Sequence, residues 1–222
     1  MRHSDFTVLL DPETGYLCHQ TPVRAGADEL VEPVRQMFVD SMESFGYVGF
    51  SHAIDETFHR RSTYNYVTAP DGRVVMTCRI TPREPGTIVP FEMGLREDGS
   101  SYRLDGDSRV VDINTYTYVP GHYEIAMPLL VAGLGQFAKE WGAAEAYCLY
   151  DMANDRIKRA YLSVRFVLSS RFPEPVHFPT FGRRVDCHLE PTRWRVMEWS
   201  ADTIEAHAVS ATERYRAGRP EA

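Results

Sequence analysis

Cysteine is scarce in this chain and shows no pairing pattern. The four residues, Cys18, Cys78, Cys148 and Cys187, include no C-x-x-C pair, which argues against a zinc ribbon or a dense disulfide framework and leaves reduced, buried thiols. The eight histidines show no H-x-H or H-E-x-x-H spacing, so no metal site is expected. Long apolar runs are absent too. The most apolar stretch, Ile125 to Ala138, is interrupted by Pro128, Gly133, Gly135 and Gln136, so no membrane span is expected. The opening Met1-Arg2-His3-Ser4-Asp5 and the brief apolar run ended by Asp11 do not read as a signal peptide. A cytoplasmic location is the expectation. Basic charge is in deficit, with 24 Lys and Arg against 31 Asp and Glu and a net charge of −7. That argues against nucleic-acid binding through bulk charge. No repeat, low-complexity block or long linker is visible.

What remains is an ordinary globular chain. At 43% hydrophobic and 25% charged residues over 222 positions, it is long enough to bury a core without staples. A single domain spanning 1–222 is expected. Strand-like pieces flank the Asp11-Pro12-Glu13-Thr14-Gly15 turn. From Asp28, Leu30, Val34, Met37, Phe38, Met42 and Phe45 recur at helical spacing, with Gly46 as the stop and Pro33 marking a kink or the true first turn. A shorter helix is expected near His52 to Arg60. A hairpin comes next, Tyr64–Thr68 and Arg73–Ile80 around Pro70-Asp71-Gly72. Residues 82–108 read as a long, functional or mobile loop with a short helix. Then come a strand over 108–119, a helix from Tyr123 to Trp141 closed by Gly142, a strand over 144–150 and a helix over 154–164. Strands near 166–170, 184–189 and 195–199 and a final helix over 201–215 complete an α/β pattern with a parallel strand-helix-strand unit at its centre.

Three stretches together resemble the GNAT acyltransferase superfamily. They are Val119-Pro120-Gly121-His122-Tyr123 before the long helix, Trp141-Gly142-Ala143-Ala144-Glu145-Ala146-Tyr147, and Asn154 with Tyr161 and Phe166 at fixed spacing. Arg165 stands where that family usually has Gly. The N-terminal half is similar to a narrower branch, the acyl-homoserine-lactone synthases and long-chain N-acyl amino acid synthases. Arg35, Phe38 and Phe45 on the early helix, Asp55 after it, Arg79-Ile80-Thr81-Pro82 closing the hairpin and Val110 to Thr115 on the strand carry that likeness. Phe45 replaces the branch's usual Trp, and Thr115 replaces the Arg usual in lactone synthases. Both departures point away from a lactone product and leave the acceptor open.

The resemblance implies a GNAT-like mixed central sheet flanked by helices. It also implies an N-acyltransferase with no tightly bound cofactor and acyl-phosphopantetheine as co-substrate, on acyl-carrier protein or on coenzyme A. A small-molecule amine is the acceptor. The other readings are an acyl-homoserine-lactone synthase using S-adenosylmethionine, a coenzyme A-dependent acetyltransferase, and a degenerate GNAT-fold binding protein.

Strand alternation puts Asp112, Asn114, Tyr116 and Tyr118 on one face, which suggests a polar cleft or a solvated edge. Asp112, matching the family carboxylate, is the candidate base for the acceptor ammonium. Tyr161 is the candidate acid for the leaving thiolate, or a core tyrosine. Tyr118, Val119, Gly121, His122 and Asn154 are the expected thioester-binding residues, with amides near Tyr118 and Val119 for the oxyanion. Glu124 in the first turn of the long helix repels a pyrophosphate, which favours a carrier-protein donor over coenzyme A; ordinary helix-end charging is the alternative. Arg156, Lys158, Arg159 and Arg165 are a candidate docking face for an acidic carrier protein, or a solvated helix face. Arg35, Asp55, Arg79 and Asn114 are candidates to hold the acceptor, the charged ones being surface ion pairs otherwise. Phe38, Phe45, Phe50, Phe58 and Phe91 line an acyl tunnel or simply fill the core. Within Asp186-Cys187-His188, alternating strand geometry would separate Cys187 from His188 and exclude a dyad.

Overall fold

The computed structural model describes residues 7–23, 28–49, 57–106 and 108–218. Asp55 and Phe50 lie outside these residues. Eleven strands occur among them. They are β1 (Thr7–Leu10), β2 (Leu17–Pro22), β3 (Tyr47–Val48), β4 (Thr63–Thr68), β5 (Val74–Pro82), β6 (Val110–Tyr118), β7 (Glu145–Asp151), β8 (Val167–Leu168), β9 (Val176–Val185), β10 (His188–Ser200) and β11 (Arg216–Gly218). They join one sheet in the order β11-β1-β2-β4-β5-β6-β7-β10-β9-β3, with β8 also on β10. Among the described residues only the β6–β7 pair is parallel; each remaining pair is antiparallel.

Among the described residues four full α-helices flank this sheet: α1 (Asp28–Ser44), α2 (Tyr123–Trp141), α3 (Asp155–Ser163) and α4 (Ala201–Arg214). Pro33 lies inside α1 rather than at its start. Residues 57–59 are also helical. Helix α2 crosses from β6 to β7, as a parallel pair requires. It is closed by Gly142 in the left-handed region at φ 75°, where the missing Cβ removes the usual penalty.

The two faces of the sheet have separate cores. Val111 and Ile113 of β6, Cys148 of β7 and Met197 of β10 pack with the buried Ala126, Leu129 and Leu130 of α2 and Ile204 of α4. Helix α2 is apolar almost all round because it lies between sheet and α4. The contact is tight enough that a Cβ on Gly135 would sit 2.4 Å from His207 Cβ. Val110 and Tyr147 point to the opposite face and pack with Phe91, Leu104 and Phe172. On that face Val31 and Val34 of α1 meet Tyr64 of β4.

The 82–108 segment is anchored from inside. Glu92, on a 3-10 turn (Pro90–Met93), is fully buried. Its carboxylate accepts from the Val89 and Leu104 amides at 3.0 Å each and pairs with Arg83 at 3.4 Å. Arg83 in turn donates to the Leu104 and Asp105 carbonyls.

Two expectations change here. The segment read as a strand over 184–189 is a hairpin turn, with Asp186 at φ 46° and Cys187 at φ 67° between the paired Val185 and His188. Both central residues adopt the left-handed region that a two-residue hairpin demands, without the Asn-Gly signature that usually marks it. Cys187 is exposed, whereas Cys18, Cys78 and Cys148 are buried and free. Among the described residues no helix is long and apolar enough to cross a membrane.

Candidate active site

Strands β6 and β7 are paired from Val110↔Glu145 to Ile113↔Cys148 and no further, although β6 continues to Tyr118 and β7 to Asp151. The pair splays open beyond that rung. On its other side β6 carries a bulge. Arg79 pairs with Asn114 and Thr77 with Thr117, so two steps on β5 oppose three on β6. Thr115 sits at the irregularity in the left-handed region, φ 54°. A bulge leaves its extra residue out of the ladder and re-aims the side chains beyond it. Here it shifts the alternation by one. Tyr116 and Tyr118 pack on the α2 core, Tyr116 reaching Met127 Sδ, while Asp112 and Asn114 stay on the opposite face. The four residues expected on one polar face are therefore divided two and two.

The splay opens into a cavity of ≈ 220 Å³ with a mostly apolar wall. Phe38 and Met42 of α1, Phe45 just after it and Phe58 line one part, and Tyr47, Phe178, Phe181 and Trp194 of β3, β9 and β10 another. Leu149 of β7 and Ile157 and Tyr161 of α3 complete it. Of the expected tunnel aromatics, Phe38, Phe45 and Phe58 are at the wall. Phe91 belongs instead to a closed cluster with Tyr147 and Phe172. Strand β3 closes against β9 at Gly49, where a Cβ would fall 1.7 Å from the Thr180 carbonyl oxygen.

Arg79 and Asn114 form a polar part of the wall. Arg79 Nε donates to Asn114 Oδ1 at 2.7 Å, and Asn114 Nδ2 donates to Asp112 Oδ1 at 2.9 Å. Asp112 is 1% exposed and lies behind the wall, its other oxygen accepting the Phe91 amide at 3.0 Å. Burial pushes its carboxyl up to about 6, against the lowering pull of Asn114, Phe91 and Arg79. Asp112 thus meets the cavity only through the Asn114 amide, a group that does not titrate.

Tyr161 lines the cavity and is 5% exposed. A Schellman turn fixes it: the Phe166 amide donates to the Tyr161 carbonyl at 3.1 Å and the Arg165 amide to the Leu162 carbonyl at 3.1 Å. The Phe166 ring closes on Tyr161 at 5.4 Å. Arg165 holds φ 68°, which explains the usual Gly there. Burial raises the Tyr161 phenol well above its ordinary range, so it stays a proton donor.

The remaining expected residues are more scattered. Asn154 caps α3, accepting the Ile157 amide at 3.1 Å, and also lines the cavity. The Val119 amide already donates to the Val75 carbonyl at 2.8 Å, so it is not available to an oxyanion. Gly121, at φ 90°, forms the turn into α2. His122 precedes α2, between the Tyr16 hydroxyl at 2.8 Å and an Arg73 guanidinium nitrogen at 3.2 Å. Arg35 pairs with Glu32 at 3.7 Å within α1 and is not at the cavity wall. Arg156, Arg159 and Arg165 are exposed; Arg156 lies over the Tyr118 ring, and Lys158 lies over Tyr150. The Tyr123 hydroxyl meets Ser163 Oγ at 3.3 Å, so the start of α2 sits against α3.

Sequence reasoning missed Asp151. This carboxylate ends β7, is 3% exposed and lines the cavity. It accepts from the Tyr47 hydroxyl, from Arg183 at 2.6 Å and from the Ala153 amide at 2.8 Å. Trp194, its register partner on β10, and Tyr47 and Phe181 were missed with it. These three rings lie near-parallel with centroids 5.6–6.0 Å apart.

No family profile matches this chain, and no curated protein does. Solved structures match over nearly all of it. FeeM, an N-acyl amino acid synthase from uncultured soil microbes, is 10% identical with a TM-score of 0.54, over 90% of this chain and 98% of FeeM. TofI, solved with an inhibitor and MTA, is 11% identical with a TM-score of 0.56, over 87% and 95%. Mycobacterium smegmatis RimJ, solved with CoA-disulfide, is 13% identical with a TM-score of 0.51, over 96% and 97%. What this chain shares with them is the fold, the GNAT-type mixed sheet that the three sequence stretches implied.

Proposed function

We propose that this protein is an N-acyltransferase that moves a fatty acyl group from an acyl-carrier-protein thioester to the amine of an amino acid or related small molecule. The observation that carries this reading is the aromatic cavity opening at the splay and bulge of β6, with Tyr161 on its wall. The cavity suits an apolar chain, and the bulge suits a thioester carbonyl. The Thr115 and Tyr116 amides have no register partner on β5 and supply the oxyanion contacts in place of Tyr118 and Val119.

The acceptor amine attacks the thioester carbonyl directly. The C–N bond forms and the C–S bond breaks. Tyr161 gives its proton to the leaving sulfur and recovers one from the new amide nitrogen, the ammonium having first lost a proton to solvent. Asp112, with both oxygens engaged, serves as a positioning residue that holds Asn114 and through it Arg79. Arg156, Arg159 and Arg165 make no ion pair with a described residue in a chain of net charge −7. This unpaired positive face beside the start of α2 suits an acidic carrier protein. Glu124, exposed in the first turn of α2, disfavours the pyrophosphate of coenzyme A.

Mass spectrometry of lipid extracts from a bacterial host expressing the wild type or Tyr161→Phe tests this reading. N-acyl amino acids with the wild type and a strong loss in the variant are expected. Acyl-lactones would reassign the product. No new product from folded protein would favour a binding role.

A further inference from the structure

The end of the cavity at Asp151 holds two polar features that the protein leaves unfinished. The indole Nε1–H of Trp194, on the cavity wall, is buried with no hydrogen-bond partner among the described residues. An indole N–H can only donate, so a group that answers it must carry an acceptor oxygen. Opposite Trp194 in the ladder stands Asp151. Its Oδ2 takes Tyr47 and Arg183, while Oδ1 takes only the Ala153 amide. A carboxylate offers about four acceptor positions, so Oδ1 has one left. Arg183 adds a second unanswered donor, its buried Nε–H, while its guanidinium lies 4.8 Å over the Tyr47 ring.

The wall here therefore presents a carboxylate with spare acceptor capacity and an adjoining orphan donor beside a guanidinium. One small group complements both, an ammonium and a carboxylate on the same carbon. The flat wall of Tyr47, Phe181 and Trp194 beside it suits an apolar side chain.

We propose that Trp194 and Asp151 form the head-group site for an α-amino acid with an apolar side chain. The Trp194 N–H binds the amino acid's carboxylate, and Asp151 Oδ1 binds its ammonium. This rests on the acyltransfer reading for its place in the reaction, and it moves the acceptor from the β5–β6 wall of Arg79 and Asn114 to the β7–β10 wall.

Trp194→Phe is the informative variant, because it removes the donor and keeps a ring. Binding is read by protection from thermal unfolding, using L-phenylalanine and phenethylamine, which lacks the carboxylate. The wild type should be protected by L-phenylalanine. Trp194→Phe should bind it about tenfold more weakly, as loss of a bond to a charged group requires. Phenethylamine should not distinguish the two proteins. The variant without ligand should lose only the packing of the larger ring on Tyr47 and Phe181, since the deleted donor had no partner. Equal affinity of the two proteins for L-phenylalanine, or no protection of the wild type, overturns the site. Acylated amines formed without this discrimination would sink the site and leave acyl transfer standing; binding as described with no acyl product would do the reverse.

Discussion

From Val111 to Ile113, β6 is paired on both sides, with β5 and with β7. From Asn114 to Tyr118 it keeps only β5, across a bulge, and Asn114, Thr115 and Tyr116 line the cavity. The same two neighbouring strands thus make core at one end and a site at the other. Each end has its own carboxylate. Asp112 in the closed half is locked by Asn114 and Phe91 and hidden from the cavity. Asp151 in the open half lies on the cavity wall with part of its capacity unused. A carboxylate at a matching motif position is therefore weaker evidence of contact with substrate than a carboxylate at the place where pairing stops.

If this division is right, changes in the closed half should act on stability and changes in the open half on turnover. The largest effect belongs to Glu92, which anchors the loop behind Asp112. Glu92→Gln strands the buried Arg83 charge and should cost about 3–5 kcal/mol of stability in urea unfolding. In the open half, Tyr161→Phe should lower kcat at least about a hundredfold. Its hydroxyl has no protein partner among the described residues, so unfolding should move by less than about 1 kcal/mol. A comparable loss of stability in this variant would erase the distinction.

Asp112 offers a pH test of the closed half. Folded, it keeps its proton up to about pH 6; unfolded, it releases it near 3.8. Between those values the folded state binds more protons, so its stability falls as pH rises. The Asp112 contribution is fully present below pH 3.8 and lost by about pH 6, a swing of roughly 3 kcal/mol. Denaturant titrations from pH 3.5 to 7 should show this slope in the wild type minus Asp112→Asn difference. A flat difference would mean that Asp112 is solvated and not locked.

The smallest effect is expected at Arg165, where the α3 turn holds a non-glycine residue at φ 68°. Arg165→Gly should raise stability by up to about 1 kcal/mol in thermal or urea unfolding and leave Tyr161 in place. A loss of stability there would show that the Arg side chain contributes more than its strained backbone costs.

The helices were legible because their signals are local. Gly46 and Gly142 stop α1 and α2 where the helical periodicity ends, and Asn154 caps α3. The β4–β5 hairpin was legible from Pro70-Asp71-Gly72. The bulge was not. Thr115 is neither Gly nor Pro, and the polar alternation of Asp112, Asn114, Tyr116 and Tyr118 runs through it unbroken. The β9–β10 hairpin was hidden for the same reason, with Asp186 and Cys187 in conformations usually held by Asn and Gly. Tyr161, Asn154, Arg79 and Asn114 were singled out through the family resemblance and strand alternation, and all four line the cavity. Asp151 and Trp194 were not found, because register between strands more than 40 residues apart brings them together.

The most direct test is acyl transfer by the purified protein to L-phenylalanine, followed by mass spectrometry of the N-acyl product, with the same fatty acyl group offered on acyl-carrier protein and on coenzyme A. Product is expected from the carrier protein, less from coenzyme A, with a loss of at least about a hundredfold in Tyr161→Phe. Product formed equally well by Tyr161→Phe, or no product from either donor with folded wild-type protein, would contradict the proposed reaction.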